Sequence, residues 1–115
     1  MSIIIYHNPK CSTSRKVLDW LLEKGHAPKV IEYLKTPPDA ATLKSILVMM
    51  SAAPADILRR KGEAYDALGD VVKLTPDALI ARLVAEPVLI ERPIVINRKR
   101  AVLCRPPERV WEVVR

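Results

Sequence analysis

The chain has 115 residues, 50% hydrophobic and 28% charged, which suits one globular domain and excludes a disordered tail. Aromatic residues make up only 4%, with no Phe, so Leu, Ile, Val and Ala have to build the core. The formal charge is +6, and residues 92 to 115 hold seven Lys or Arg against two Glu, a local surplus that suits an anionic partner.

No apolar run approaches the roughly 20 residues needed to span a bilayer. The opening Met1-Ser2-Ile3-Ile4-Ile5-Tyr6-His7 has neither the basic start nor the long apolar stretch of a signal peptide. A cytoplasmic protein with no membrane association is therefore expected. Two cysteines, Cys11 and Cys104, are too few for a disulfide framework. Together with His7 and His26 they show no paired-ligand spacing, so no metal is expected.

Ile3-Ile4-Ile5-Tyr6 is a short β-branched run and reads as a buried strand, which the Asn8-Pro9 loop signal ends. After Cys11, Ser12 and Thr13 offer capping hydroxyls to a helix whose apolar positions are Val17, Leu18, Leu21 and Leu22, with Gly25 as its stop. Val30-Ile31-Glu32-Tyr33 reads as a second strand, so the opening forms a parallel βαβ unit. Thr36-Pro37-Pro38-Asp39 then breaks the chain before a helix carrying Leu43, Ile46, Leu47 and Met50. A short helix is expected over Ala55 to Arg60, and Thr75-Pro76 starts another that carries Leu79, Ile80 and Leu83. Pro93-Ile94-Val95-Ile96 and Ala101-Val102-Leu103-Cys104 read as a hairpin around the polar turn 97–100. A last helix is expected to carry Val110, Trp111, Val113 and Val114.

This order predicts an α/β, thioredoxin-like fold: a mixed four-stranded sheet flanked by helices, with a helical insertion between the second and third strands. The whole chain is expected to be one domain, with the insertion at about 37–72.

Cys11 follows a strand and a Pro-containing loop and stands at a helix start, where unpaired N–H groups and the helix dipole favour an anion. A thiolate there has its pKa lowered, and the same N–H groups suit an incoming oxyanion. Lys10, Arg15 and His7 are close in sequence and add positive charge. Cys11-Ser12-Thr13-Ser14 lacks a second cysteine, so a local redox pair is excluded. Val17 stands where a cysteine phosphatase loop needs Arg.

The stretch Tyr6-His7-Asn8-Pro9-Lys10-Cys11-Ser12-Thr13-Ser14-Arg15 resembles the active-site signature of the glutaredoxin-dependent arsenate reductase family. The similarity continues through Tyr33-Leu34-Lys35-Thr36-Pro37-Pro38, Leu58-Arg59-Arg60-Lys61, Glu91-Arg92-Pro93-Ile94-Val95 and Leu103-Cys104-Arg105-Pro106, and so spans nearly the whole chain. The resemblance implies one nucleophile, Cys11, and three oxyanion-binding arginines, Arg59, Arg92 and Arg105. A one-residue shift would put Arg60 in place of Arg59. It also implies a cis bond between Arg92 and Pro93, with His7 and Ser14 in support.

The activity implied is reduction of arsenate to arsenite. Cys11 would attack arsenic, glutathione would add next as co-substrate, and glutaredoxin would resolve the mixed species. Planar guanidinium groups suit the tetrahedral oxyanion. No bound cofactor is expected, and neither is a nucleic-acid partner; a monomer is. A glutathione-dependent thiol reductase with weak arsenate activity is the alternative enzyme reading. A regulator of the Spx type, which belongs to the same broad family, is the alternative binding role, although Ser14 occupies the place of the second cysteine of such a switch. Cys104 reads as a small half-buried strand residue or, alternatively, as a resolving thiol.

Overall fold

Ile5 lies at the centre of the sheet and shows why these short apolar runs become strands. In the computed structural model, which describes residues 2–114, Ile5 faces Val30 across one ladder and Val95 across the other, and Val95 in turn faces Val102. Strands β1 (Ile3–His7), β2 (Lys29–Glu32), β3 (Ile94–Asn97) and β4 (Arg100–Leu103) form one mixed sheet in the order β2-β1-β3-β4. The β1–β2 pair is parallel and the other two pairs are antiparallel. This is the thioredoxin-like arrangement, with the helical segment between β2 and β3 as expected.

The chain divides into two compact units, Met1–Thr36 with Arg92–Arg115, and Pro37–Glu91. In the first, helix α1 (Ser12–Glu23) connects β1 to β2. Its Val17 and Leu21 pack on Ile5, Val95 and Val102, and Val110 and Val114 join them in one fully buried cluster. Each such aliphatic side chain contributes roughly 1.5–3 kcal/mol by leaving water, so this apolar seam is what holds α1 against the sheet.

Gly25 ends α1 in the way its position suggested. It takes a φ of +85° and donates to the Leu22 carbonyl at 3.0 Å, while His26 donates to Leu21 at 3.0 Å. That pair of bonds closes the helix in a Schellman motif, which a residue without Cβ adopts at least cost.

The second unit contains α2 (Ala40–Met50), α3 (Glu63–Asp66) and α4 (Pro76–Ala85). Asp39 caps α2 by accepting from the Thr42 N–H at 2.8 Å, and Thr75 caps α4 by accepting from Ala78 at 3.1 Å. Leu43, Ile46 and Leu47 of α2 and Leu79, Ile80 and Leu83 of α4 are buried, as their spacing predicts.

Two expected helices prove shorter or tighter. The Ala55–Arg60 piece is a 3-10 turn at Pro54–Ile57, after which Leu58 pairs with Ile90 in an isolated antiparallel bridge. The terminal helix is likewise a 3-10 segment, Pro107–Glu112. The β-branched Val110, Val113 and Val114 disfavour a longer α-helix there. In the hairpin, the turn narrows to Arg98-Lys99, with Arg98 at a φ of 60°. Among the described residues no helix is long and apolar enough to cross a membrane.

Candidate active site

Cys11 is itself the N-cap of α1, with φ −93° and ψ 122°. Ser12 and Thr13, expected as caps, instead form the first turn. A cap side chain lies beside the N–H groups two and three residues ahead, which here belong to Thr13 and Ser14. A neutral thiol makes no cap hydrogen bond of good geometry, but a thiolate there is favoured. Burial opposes ionisation of Cys11; the Ser14 N–H, the hydrogen bond and charge of Arg92, and the Thr13 N–H together outweigh it, and the thiol pKa is lowered.

The loop before Cys11 is tied down by its own polar groups. Asn8 accepts from Cys11 N–H at 3.0 Å through its backbone and from Lys10 N–H at 2.9 Å through Oδ1. Its own N–H donates to Ser14 Oγ at 3.1 Å. Ser14 is fully buried, and its hydroxyl also pairs with His7 Nδ1. Arg15 donates to the Pro9 carbonyl at 3.0 Å. Ser14 thus fastens the loop to the first turn of the helix, while its backbone N–H serves the sulfur.

His7 is buried, and that burial lowers its pKa; Glu32 opposes the shift and Arg15 adds to it. Burial thus favours the neutral imidazole over the charged one. His7 reaches the Cys11 region through Ser14, and the groups that favour the thiolate are the two N–H donors and Arg92.

Arg92 and Arg105 come to Cys11 from the far end of the chain. Arg105 Nη1 donates to Cys11 Sγ at 4.0 Å and to the Arg92 carbonyl at 3.1 Å. The peptide bonds Arg92–Pro93 and Arg105–Pro106 are both cis, the first as expected from the resemblance. Arg92 is only 9% exposed. Burial works against its charge, but hydrogen bonds and charge interactions with Cys11 and Tyr33 more than offset this, so its pKa is raised. Its Nε and Nη1 atoms are buried without a hydrogen-bond partner in the protein. Leaving such donors unpaired costs about 1–3 kcal/mol, more when they are charged.

Arg59 belongs to the second unit. Its backbone N–H donates to the Leu89 carbonyl at 2.7 Å, and its Nη1 donates to Glu91 Oε1 at 3.1 Å. Tyr33 is a site residue that sequence reasoning passed over. It is 1% exposed and favours the Arg92 charge, yet in the sequence it is one more apolar residue at a strand end. Cys104 is fully buried in the apolar cluster, where burial pushes its thiol pKa up to about 12. A thiol so reluctant to ionise is a core residue and a poor resolving nucleophile. Among the described residues no group of three His, Cys, Asp or Glu is placed to hold a metal ion.

The sequence profile of the ArsC family matches residues 6–113, a span that includes Cys11, Arg59, Arg92 and Arg105. The chain belongs to the ArsC family. Within that family it is 45% identical over 112 residues to the uncharacterized protein YfgD of Escherichia coli K12, covering 96% of this chain and 94% of YfgD. It is 42% identical over 114 residues to the arsenate reductase of Neisseria meningitidis serogroup B, covering 97% of both chains. A solved structure of an arsenate reductase from Vibrio cholerae superposes with a TM-score of 0.92 at 44% identity, covering 99% of this chain and 98% of that one. This ArsC chain thus spans nearly the whole of these two proteins named as arsenate reductases and shares the fold of the second.

Proposed function

We propose that this protein reduces arsenate to arsenite, with Cys11 as the nucleophile, glutathione as co-substrate and glutaredoxin as the partner that completes the cycle. The observation that carries the reading is the pair of guanidinium groups at Cys11: Arg92 favours its thiolate, and Arg105 donates to its sulfur at 4.0 Å. Nucleophile and oxyanion cradle coincide there, as attack of a thiolate on an anionic centre requires. The names of the ArsC relatives support the choice of arsenate.

In this reading arsenate is held by Arg92, Arg105 and the first N–H groups of α1. The Cys11 thiolate attacks arsenic, and an oxygen of arsenate takes up a proton and leaves as water; arsenic stays pentavalent. Guanidinium groups that remain in place stabilise the charge shared among the oxygens as the bond forms. Glutathione then bonds to arsenic, its thiol proton leaving with a hydroxyl of the adduct as a second water. Two electrons reach arsenic when a glutaredoxin thiolate attacks the glutathione sulfur, so that the arsenic–sulfur pair stays on arsenic and a mixed disulfide forms. Water finally displaces Cys11 and releases arsenite. Over the cycle one arsenate and two thiols give one arsenite, one disulfide and one water.

Arg59 is assigned to the oxyanion by the resemblance. The reading takes the protein as a cytoplasmic monomer with no bound cofactor. The deciding experiment is NADPH consumption with arsenate, glutathione, glutathione reductase and glutaredoxin. Arsenate-dependent turnover is expected in the wild type and absent in Cys11→Ser. No turnover in the wild type, with Cys11 still rapidly alkylated, would transfer the chemistry to another thiol substrate.

A further inference from the structure

Beside the loop that carries Cys11 there is a cavity of about 240 Å3, formed wholly within the first unit. Residues 7–10 make part of its lining, and Glu32, Leu34 and Lys35, at and just beyond the end of β2, make the rest. Cys11, Arg92 and Arg105 do not line it. It is therefore a different space from the oxyanion cradle. Yet it lies one residue from the nucleophile, because Lys10 borders it and is joined directly to Cys11.

The lining carries a definite charge pattern. Two lysines, Lys10 and Lys35, and one acidic residue, Glu32, are among the lining residues, and the Glu32 carboxylate lies 3.5 Å from the Lys35 nitrogen. That ion pair is well exposed, with side chains 80% and 41% accessible, so water screens it and a ligand can exchange with it. Leu34, 43% exposed, adds an apolar wall. The volume is below the roughly 300–1,000 Å3 of sites that enclose a drug-sized ligand, so this one takes the end of a flexible molecule whose remainder lies along the surface. A compact oxyanion would meet the Glu32 carboxylate. A ligand with carboxylates and an ammonium, and one more of the former than of the latter, would meet complementary charges.

We propose that this cavity seats the thiol co-substrate, a short anionic peptide thiol of the glutathione class, with carboxylates on Lys10 and Lys35, its ammonium on Glu32 and its sulfur directed to the Cys11 adduct. The inference deepens the reading above and relies on it for the reaction served. In that step the thiol sulfur bonds to arsenic, its proton combines with a hydroxyl of the adduct to leave as water, and arsenic stays pentavalent.

The test is a titration of 15N-labelled protein with S-methylglutathione, which keeps the charges of the tripeptide and cannot react. Saturable shifts are expected at the amides of His7, Asn8, Lys10, Glu32, Leu34 and Lys35. The Kd should rise at least about fivefold in Lys35→Glu, whose exposed position leaves folding intact. In the turnover assay the same substitution should raise KM for glutathione about fivefold and KM for arsenate less than about twofold. Shifts centred on residues 92–95, no saturable shift at millimolar ligand, or an unchanged Kd in Lys35→Glu would overturn the proposal. The titration needs no arsenate. A protein that binds the tripeptide at this cavity yet lacks arsenate turnover would therefore refute the proposed function and leave the cavity assignment standing.

Discussion

Arg105 and Cys11 are 94 residues apart in the chain, and the guanidinium of the first donates to the sulfur of the second at 4.0 Å. The same nitrogen donates to the Arg92 carbonyl at 3.1 Å. Arg105 is therefore held in place by the backbone of the other arginine at the sulfur, and a lysine, a point charge on a shorter stem, lacks the planar fork that suits a tetrahedral oxyanion. Arg105→Lys is expected to lower kcat/KM for arsenate by about 10-fold or more, the loss of one charge-assisted hydrogen bond. Arg98→Ala and Arg109→Ala should stay within about twofold, since Arg98 lies in the hairpin turn and Arg109 pairs with Glu112 at 3.1 Å. Equal losses at all of these positions would show that only the overall positive field matters.

The Cys11 pKa provides a second, sharper separation of roles. It is lowered despite burial because the Ser14 N–H, Arg92 and the Thr13 N–H favour the thiolate. The alkylation rate of Cys11 by iodoacetamide should rise with pH along a single titration whose midpoint lies below the ordinary thiol value. In Arg92→Ala the midpoint should move upward, while Ser14→Ala, which keeps its backbone N–H, should move it less. A midpoint unchanged in Arg92→Ala would remove the electrostatic role assigned to that residue.

Ser14→Ala should act on stability instead. It leaves the buried His7 Nδ1 and the Asn8 N–H without their shared hydroxyl. Urea unfolding at pH 7 is expected to show a loss of about 1–3 kcal/mol, the cost of buried polar groups left unpaired. A loss under about 0.5 kcal/mol would mean that the loop holds without this tie.

Cys104 gives stability a dependence on high pH. Its folded pKa of about 12 exceeds the ordinary 9.0. Above pH 9 the unfolded thiol gives up its proton and the folded one keeps it, so the unfolded state is favoured as pH rises. The decline is about 1.4 kcal/mol per pH unit between the two values and ceases above the folded one. Cys104→Ala should therefore lose less stability than the wild type between pH 9 and pH 11, even if it is weaker at pH 7 for want of the buried sulfur. Parallel curves for the two proteins would place a more accessible thiol at this position.

Leu21→Ala tests the apolar seam that sets α1 on the sheet. Leu21 is fully buried with Val17, Ile5 and Val95, and its truncation should cost about 2–5 kcal/mol in urea or thermal unfolding. Leu22→Ala, one position along and 54% exposed, should cost under about 1 kcal/mol.

Much of this protein is legible in its sequence. The β-branched run at Ile3–Tyr6, the Gly25 stop, the Thr75-Pro76 start and the hairpin of β3 and β4 are set by choices a few residues long, so local preference alone places them. Cys11 at a helix start is equally local, because the strand, the loop and the following helical period all lie within about two dozen residues. What tertiary structure decided depends on partners distant in the chain. Only the fold brings Arg92 to the sulfur. Only the fold seats Arg105 on the Arg92 carbonyl, puts Tyr33 beside Arg92 and holds Arg59 on Glu91. Local pattern shows which residues can be charged, capped or buried; which of them meet is settled when the apolar rows of β1, β3 and β4 pack under α1, and no short window of sequence contains that geometry.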